Sequence, residues 1–413
     1  MDRTILHCDM NSFFASVELL PHPELRDKPV AVSGSPKDRR GIILAKNELA
    51  KRRGVKTAQT IWQAKQKCPN LILLPPHHDK YEEYCKIINA IYLRYTDMVE
   101  PFSIDESWLD ITASLDHFQK SGKEIADEIR TVVKNETGLT LSAGVSFNKI
   151  FAKMGSDYKK PDATTLINNE NYKQILWPMP VRELFFVGAV TADKLKSMNI
   201  ISIGDLATSN PEYLVSSLGK HGQQLYDYAN GLDESPVAYF TDRKEYKSVG
   251  NGLTFKRDLT KKEDIRTALK ALCDRVAARL RAHDIKCMGI KIDIKDPSFK
   301  VISRQTQLDI PTNLSSEIFE TAMQLLQNNW RFGDPIRLLT ITGINLVQEQ
   351  SEEQLSLFFN DNKDKEKQRA VEETIDSIRV KFGKYAIIYG GLINNDLGIS
   401  NGRNEVEIED EEG

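Results

Sequence analysis

The sequence predicts a soluble α+β protein made of several domains. Its 413 residues are too many for one ordinary hydrophobic core, and a composition of 40% hydrophobic and 28% charged residues is typical of globular proteins. Strand-like and helix-like patterns alternate up to residue 166 and again from residue 249, whereas the stretch between carries only helical patterns. We therefore expect two α+β regions joined by a helical one.

The first α+β region opens with a predicted strand at residues 4–9 and a helix that Ser12 is expected to cap. Residues 99–111 contain two apolar runs around Asp105 and Glu106, a pattern that favours a hairpin with the acids at its bend. The other predicted elements of this region are strands at 41–45, 71–74 and 139–147 and helices at 46–53, 59–67, 81–95, 120–135 and 149–157.

Residues 233–247 are polar, contain Pro236 and form a candidate linker to the second α+β region. In that region, residues 289–295 alternate strictly between apolar and polar side chains, which predicts a strand with one buried face. The other predicted elements are helices at 262–282 and 314–329 and strands at 299–308 and 337–347. The sequence predicts no fold for residues 359–413.

The net charge of −3 conceals two oppositely charged parts. Residues 1–347 contain 48 basic and 43 acidic residues, whereas residues 348–413 contain 8 basic and 16 acidic residues. A mildly basic body is compatible with a polyanionic partner. The five scattered cysteines include no C-x-x-C pair, which argues against a disulfide scaffold or a cysteine zinc site. Because no apolar run is long enough to span a bilayer and no secretory signal is recognisable, a cytoplasmic protein without membrane contact is expected.

Asp9, at the end of the first predicted strand, and the adjacent Asp105 and Glu106 are candidate metal ligands. Magnesium prefers carboxylate oxygens, and phosphoryl transfer commonly uses two ions about 3.5–4 Å apart. The three acids could hold such ions if the two strands are neighbours in one sheet. The residues alone leave an alternative, in which Asp105 and Glu106 belong to an ordinary turn and Asp9 caps a helix. The adjacent His77 and His78 are interpreted as surface residues, since neighbouring side chains point apart.

Three segments resemble the motifs of Y-family DNA polymerases: residues 6–18 (LHCDMNSFFASVE), 103–110 (SIDESWLD) and 142–149 (SAGVSFNK). Their order and spacing are similar to those of the bacterial polymerase IV (translesion) enzymes. The resemblance implies a monomeric, low-fidelity DNA-directed DNA polymerase that uses dNTPs, primer–template DNA and two magnesium ions. The implied domains are a palm (1–10 and 76–165), small fingers (11–75), a helix-hairpin-helix thumb (166–235), an α+β little finger (236–347) and a tail (348–413).

Carried over by position, the resemblance makes Asp9, Asp105 and Glu106 the catalytic metal ligands, together with the backbone carbonyl of Met10. The residues that would bind the incoming nucleotide are Phe13, Phe14, Lys51 and Lys160. Phe14 falls at the steric gate that selects the sugar, and Lys160 matches the lysine on the triphosphate. Without the resemblance, Phe13 and Phe14 read as helix core residues and Lys160 as a solvated turn lysine.

The fingers segment 45–51 (AKNELAK) departs from the commoner T-x-N-Y-x-x-R pattern of the family. Glu48 stands where a phosphate-contacting tyrosine is often found, and Lys51 stands where an arginine is. A lysine binds phosphate as a point charge but lacks the bidentate fork of arginine. A catalytically silent DNA-binding scaffold subunit of the same fold is therefore the alternative function, although retention of all three acids argues against it.

The resemblance also implies DNA contacts in the thumb and little finger. The implied residues are Gly188, Gly219 and Gly222 in thumb turns, and Lys291, Lys295, Lys300 and Arg304 on a basic face of the little-finger sheet. The residues alone are compatible with a plain helical linker and a solvated sheet face.

Residues 354–358 (QLSLF) are similar to the peptide by which bacterial polymerases bind the sliding clamp. Gln354, Leu355, Leu357 and Phe358 would then contact the clamp, with the last two as buried anchors. The alternative is that this segment packs back on the little finger.

Overall fold

The computed structural model describes residues 3–35, 41–242, 246–348, 362–393 and 395–399. These residues form two compact units, one before and one after the segment around residue 243. Because each unit has its own core, we describe each by itself.

The first unit contains two sheets and a group of helices. Its strands within the described residues are β1 (Ile5–Met10), β2 (Val30–Ser33), β3 (Ile43–Lys46), β4 (Ile72–Leu74), β5 (Val99–Pro101), β6 (Glu106–Asp110), β7 (Leu141–Ser146) and β8 (Thr164–Leu166). Its helices are α1 (Phe13–Leu19), α2 (Glu48–Arg52), α3 (Ile61–Lys67), α4 (His78–Tyr92), α5 (Leu115–Phe118), α6 (Gly122–Thr137), α7 (Lys149–Tyr158), α8 (Tyr172–Leu176), α9 (Ala189–Ser197), α10 (Ile203–Ala207), α11 (Pro211–Leu218) and α12 (Lys220–Ala229). The larger sheet has the order β5-β6-β1-β7-β8 and the smaller one the order β3-β2-β4.

Strand β1 lies at the centre of the five-stranded sheet and is buried along its whole length. Successive side chains of a strand point to opposite faces. Leu6, Cys8 and Met10 therefore join the hydrophobic cluster formed with α4 and α6. The other face of the strand carries His7 and Asp9, which contact side chains of α7.

The close packing of α7 on the sheet depends on Gly144 of β7. A Cβ atom at this position would lie 1.8 Å from the carbonyl oxygen of Ala152, so only glycine allows this approach. The glycine at this position of β7 thus allows the side chains of α7 to come close to β1.

The predicted hairpin is confirmed, since β5 and β6 pair antiparallel around the turn that holds Asp105. The helix after Ser12 begins as predicted, but the predicted Ser12 cap and the predicted start of the basic helix are wrong. Ser12 has a left-handed backbone and makes no side-chain cap for α1. The basic helix begins at Glu48, not at Lys46, because Lys46 pairs in β3 and the side chain of Asn47 caps α2.

Helices α8–α12 surround one hydrophobic cluster, in agreement with the predicted helical region. The chain then returns across the five-stranded sheet. Val237 is buried against Ile5 and Trp108, and Arg3 donates to the carbonyl oxygen of Ser235 at 3.0 Å. The chain up to residue 242 therefore packs with the first unit, whereas the boundary expected from the sequence lies at Pro236.

The second unit is a four-stranded antiparallel sheet covered on one face by helices. Its strands within the described residues are β9 (Ser248–Leu259), β10 (Ile285–Lys295), β11 (Val301–Thr312) and β12 (Ile336–Gln348), in the order β11-β10-β12-β9. Its helices are α13 (Lys262–Ala282), α14 (Ser315–Asn329) and α15 (Asn362–Phe382). The predicted bounds of α13 agree with the structure, and the apolar side chains of β10 alternate into the core as expected.

The C-terminal part contains a fold that the sequence did not predict. Helix α15 pairs with α13 through Arg281, which contacts Glu372 and lies 2.7 Å from a carboxylate oxygen of Asp376. Beyond the helix, Leu392 and Leu397 are buried in the cluster of the second unit. No helix among the described residues is long and apolar enough to cross a membrane.

Candidate active site

The three predicted acids lie together at one end of the five-stranded sheet. Strands β1 and β6 are antiparallel neighbours, and Asp9 lies directly opposite Glu106 in their register. Asp105 precedes β6 in the hairpin turn, and its carbonyl oxygen accepts a hydrogen bond from the backbone N–H of Met10 at 3.0 Å. The structure thus brings together acids separated by about a hundred residues in the sequence, as the sequence analysis expected for neighbouring strands.

Two lysines from the α7 region contact these acids. The Nζ atom of Lys153 lies 3.0 Å from Asp9 Oδ2 and 3.0 Å from Glu106 Oε1, and its side chain is almost completely buried. The Nζ atom of Lys160 lies 2.6 Å from the same oxygen of Asp9. The sequence analysis predicted Lys160 but missed Lys153, which is recognisable only once α7 is packed beside β1.

Burial and charge act differently on the three acids. Burial opposes the ionisation of Asp9, but Lys153 and Lys160 outweigh it and lower the pKa of Asp9 to about 2. Burial and the neighbouring Asp9 raise the pKa of Glu106 to about 7. Burial, together with Asp9, also raises the pKa of Asp105. Negative charge at this place therefore exceeds what the two lysines offset.

The donor types fit a magnesium site, although the carboxylates are not arranged as a ready cluster. Among the described residues, no three His, Cys, Asp or Glu side chains converge closely enough to hold a metal ion. Asp9 and Glu106 instead turn toward Lys153. Magnesium prefers carboxylate oxygens, and burial together with the neighbouring Asp9 raises the pKa values of Asp105 and Glu106, a cost of ionisation that a bound cation would offset.

A pocket of about 340 Å³ opens in front of the acids. Its lining residues come from both sheets of the first unit: Asp9, Met10, Asn11, Ser12, Phe13, Phe14, Leu44, Ala45, Lys46, Glu48, Lys51, Thr57, Ile104, Asp105, Glu106, Asp157 and Lys160. All residues predicted to hold metal or nucleotide are in this set. The set combines carboxylates, ammonium groups and aromatic rings, which suits a phosphorylated ligand with an apolar part.

The two phenylalanines of α1 have different environments. Phe13 is buried in the core of the first unit, as its alternative interpretation expected, although part of it lines the pocket. Phe14 is half-buried at the pocket wall and is backed by the ring of Tyr81. The hydroxyl of Tyr81 donates to the buried carboxylate of Glu18, which also accepts from the backbone N–H of His77. The sequence analysis gave no role to Glu18, although it ends the motif at residues 6–18, or to Tyr81, because the contacts of Tyr81 with Phe14 and Glu18 depend on the packing of α4 against α1.

The fingers side of the pocket contains the residues that depart from the family pattern. Lys51 pairs with Glu48, with 3.3 Å between Nζ and Oε1. Lys46, which the sequence analysis did not select, donates to Thr57 Oγ1 at 3.0 Å. The substitution that removes the family's tyrosine thus also supplies a carboxylate that offsets the charge of Lys51.

Two of the three thumb glycines are at exposed helix starts. Gly188 precedes α9, and Gly219 separates α11 from α12 with a φ of 65°. The prediction for Gly222 is wrong, because this residue is buried inside α12 and its N–H donates to the carbonyl oxygen of Gly219. A Cβ atom there would lie 2.3 Å from the carbonyl oxygen of Leu214, so this glycine serves helix packing.

The basic face of the second unit is smaller than predicted. Lys291 and Lys295 lie on the face of β10 opposite to the helices, and Lys300 is exposed just before β11. Arg304 lies on the other face, because it pairs in register with the core residue Ile292. Its Nε atom donates to Asn329 Oδ1 of α14 at 2.9 Å. The predicted clamp contacts, Gln354, Leu355, Leu357 and Phe358, lie outside the described residues.

Family comparisons match three segments of the chain. Residues 8–157 match the impB/mucB/samB family, and residues 246–357 match the C-terminal domain of that family. Residues 183–233 match the thumb domain of DNA polymerase-iota. The matched segments correspond to the sheet-rich part of the first unit, the second unit and the helical part between them.

Similar proteins cover nearly the whole chain. It is 46% identical over 400 residues to DNA polymerase IV of Acetivibrio thermocellus, an alignment that covers 97% of this chain and 100% of the relative. It is 38% identical over 397 residues to DNA polymerase IV 1 of Bacillus subtilis, covering 95% and 94%. Among solved structures, a Y-family DNA polymerase chimera has a similar fold, with a TM-score of 0.74 and 24% identity, covering 84% of this chain and 99% of the chimera.

Proposed function

Because the chain belongs to the DNA polymerase IV group of the Y family, a group of DNA-directed translesion polymerases, we propose that its acidic pocket is the site of nucleotide addition. The supporting observation is the register of Asp9 opposite Glu106, with Asp105 tied to Met10 in the adjoining turn. The proposed reaction joins the primer 3′ oxygen to the α-phosphate of a dNTP and releases pyrophosphate.

In this proposal, Asp9, Asp105, Glu106 and the carbonyl oxygen of Met10 would hold two magnesium ions. When bound, the ions would lower the pKa of the primer hydroxyl and stabilise the negative charge of the triphosphate. Strand β1 fixes Asp9 and Met10, while the hairpin fixes Asp105 and Glu106, so the ligands start from a rigid frame. Lys153 would keep Asp9 ionised and hold both Asp9 and Glu106 in place before the substrate arrives.

Phe14 and Lys160 would position the nucleotide. The ring of Phe14 at the pocket wall would leave no room for a 2′ hydroxyl, which is specificity by steric exclusion. Lys160 would pair with the triphosphate, and its present partners Asp9 and Asp157 place its ammonium group at the pocket edge. Phe13 would support the wall from the core.

The domains would divide the remaining tasks. The palm (1–10 and 76–165) and fingers (11–75) would form the pocket, while the thumb (166–235) and little finger (236–347) would bind DNA. The helix starts at exposed Gly188 and Gly219 would present the first backbone N–H groups of α9 and α12 to phosphates, and Lys291, Lys295 and Lys300 would attract the DNA backbone. Such contacts carry no sequence information, which suits a polymerase that must act anywhere on DNA.

We further propose that residues 354–358 bind a sliding clamp. This proposal rests on the sequence alone, with Leu357 and Phe358 as apolar anchors and Gln354 as a hydrogen-bonding contact. Attachment to a ring around DNA raises the local concentration of a weakly bound enzyme. Replacing Leu357 and Phe358 with alanine should remove stimulation by the clamp and leave unstimulated synthesis intact. A full response to the clamp in the doubly substituted protein would place the contact elsewhere.

The protein is proposed to act as a monomer in the cytoplasm, where its five reduced cysteines would be stable. Primer extension separates the polymerase from the alternative of a silent scaffold. The wild-type protein, magnesium and four dNTPs should lengthen a primer on a template strand. DNA binding without any extension would favour the scaffold.

A further inference from the structure

Lys46 lies where the fingers meet the acidic pocket. It is the last residue of β3, pairs in register with Ala31 of β2, and is followed by Asn47, the cap of α2. Strand pairing on one side and a helix cap on the other fix its backbone. Its side chain lines the same pocket as Asp9.

The three lysines of the pocket have different partners. Lys160 pairs with two carboxylates of the palm side, and Lys51 pairs with Glu48. Lys46 instead donates to the neutral hydroxyl of Thr57 at 3.0 Å. Within the part of the chain that the structure describes, no carboxylate lies at ion-pair distance from Lys46. Its charge is therefore the least compensated of the three.

The surroundings of Lys46 favour the binding of an anion. Burial and then the charge of Lys51 lower the pKa of Lys46, because both disfavour its ammonium form. An anion in the pocket would relieve this penalty by supplying the missing negative charge. Thr57 holds the ammonium group in place without neutralising it. Lys51 is less available, since its pairing with Glu48 would have to be broken first.

We propose that Lys46 is the principal fingers residue that binds the triphosphate of the incoming nucleotide. The inference rests on the proposed polymerase function, and it assigns a contact to a position that the T-x-N-Y-x-x-R pattern leaves open. It also explains why the chain can carry Glu48 and Lys51 in place of the commoner tyrosine and arginine. With Lys46 on the triphosphate, the pocket does not require those two side chains. An ammonium group acts as a point charge, so electrostatic attraction and not bidentate geometry would provide the contact.

Single-nucleotide insertion on a primed template with magnesium tests this assignment. Lys46→Ala should raise KM for the matched dNTP about tenfold and leave kcat within about twofold. The reason is that the variant loses a charge-assisted contact that is equally strong in the ground state and in the transition state. Lys46→Arg should restore most of the wild-type KM. The matched control is Lys65→Ala, which removes an exposed lysine of α3 outside the pocket and should leave KM unchanged.

The pairing of Glu48 with Lys51 predicts a change of KM in the opposite direction. Glu48→Gln should lower KM for the dNTP, because it frees Lys51.

A binding measurement tests the Lys46 contact without chemistry. For Lys46→Ala, the dissociation constant of the dNTP on a dideoxy-terminated primer–template with Ca²⁺ should shift by the same factor as KM. An unchanged KM in Lys46→Ala, or an equal increase in Lys65→Ala, would overturn the inference. A wild-type protein that extends no primer would instead overturn the proposed function.

Discussion

The rings of Phe14 and Tyr81 stack face to face, with centroids 4.0 Å apart and planes inclined by 9°. Phe14 forms part of the pocket wall, and Tyr81 is fully buried behind it. A stacked, buried partner restricts the motion of the pocket-facing ring. The position of the ring that would meet the nucleotide sugar is therefore set by a residue that does not line the pocket.

Phe14→Ala should admit ribonucleotides. Removing the ring opens the space that a 2′ hydroxyl would need, while the acids and lysines of the pocket stay in place. The ratio of kcat/KM for a dNTP to that for the matching ribonucleotide should fall by at least about a hundredfold, in line with the loss of a built-in clash. Single-nucleotide insertion measures it, with Lys65→Ala as control. An unchanged ratio would return Phe14 to a purely structural role.

Glu18→Gln should weaken the same discrimination through Tyr81. The carboxylate of Glu18 accepts the hydroxyl hydrogen bond of Tyr81 at 2.5 Å, and an amide in its place offers a weaker acceptor. Tyr81→Phe removes the same bond from the other side. If Glu18 acts by positioning Tyr81, each variant should lower the dNTP-to-ribonucleotide ratio several-fold and the double variant should add little. Additive effects would show that Glu18 influences the discrimination independently of Tyr81.

The sequence predicted the two strands that carry the acids because their apolar runs are bounded by polar residues. Asp9 ends the run at residues 4–9, and Asp105 and Glu106 lie between the two apolar runs of residues 99–111, so the acids could be placed together as soon as the strands were taken as neighbours. The bounds of α13 were also predictable, since its apolar positions recur at helical spacing over its whole length.

Other parts depend on contacts that no local pattern encodes. The sequence around Lys153 shows only a helical pattern. Its side chain reaches the acids because Gly144 allows that helix to pack close to β1. Arg304 was assigned to the wrong face, because the strand pairing that places it opposite Ile292 cannot be read from a run of polar residues. Helix α15 was missed because part of its buried face is charged: the carboxylate of Glu372 is buried where Arg281 and Ser315 contact it.

In the metal-free protein, Glu106 should contribute less to stability as pH rises from about 4.5 to about 7. The pKa of Glu106 is raised in the folded state, so its carboxyl binds a proton more tightly there than in the unfolded chain. The raised pKa of Asp105 acts in the same direction, whereas the buried His7, whose pKa is lowered, acts in the opposite one. Thermal unfolding in EDTA should therefore show a wild-type stability that falls more, or rises less, over this interval than that of Glu106→Gln. An identical pH dependence of stability in wild type and Glu106→Gln would contradict the raised pKa of Glu106.

Arg281→Met should loosen α15. The change removes the buried guanidinium from Glu372 and Asp376, while Ser315 still donates to Glu372. Breaking a buried ion pair costs about 3–5 kcal/mol, and the remaining hydrogen bonds of Glu372 place the expected loss at the lower end of that range. Hydrogen exchange of the amides of α15 should accelerate accordingly. The control is Arg257→Ala, which removes an arginine of the same unit whose pairs with Asp396 and Asp264 are more exposed, and it should leave exchange in α15 unchanged. Equal protection of α15 in wild type and Arg281→Met would show that other contacts hold the helix.

The most direct test of the account is the rate of nucleotide addition by Asp105→Ala. Asp105 lies in the hairpin turn directly before Glu106 and beside Met10, and without its carboxylate the pocket would lose a proposed ligand while the residues proposed to bind DNA stay unchanged. Single-turnover insertion with saturating dNTP and magnesium should slow by at least about a hundredfold. The dissociation constant for primer–template DNA should stay within about twofold. Insertion at more than about a tenth of the wild-type rate would contradict the assignment of the acids to catalysis.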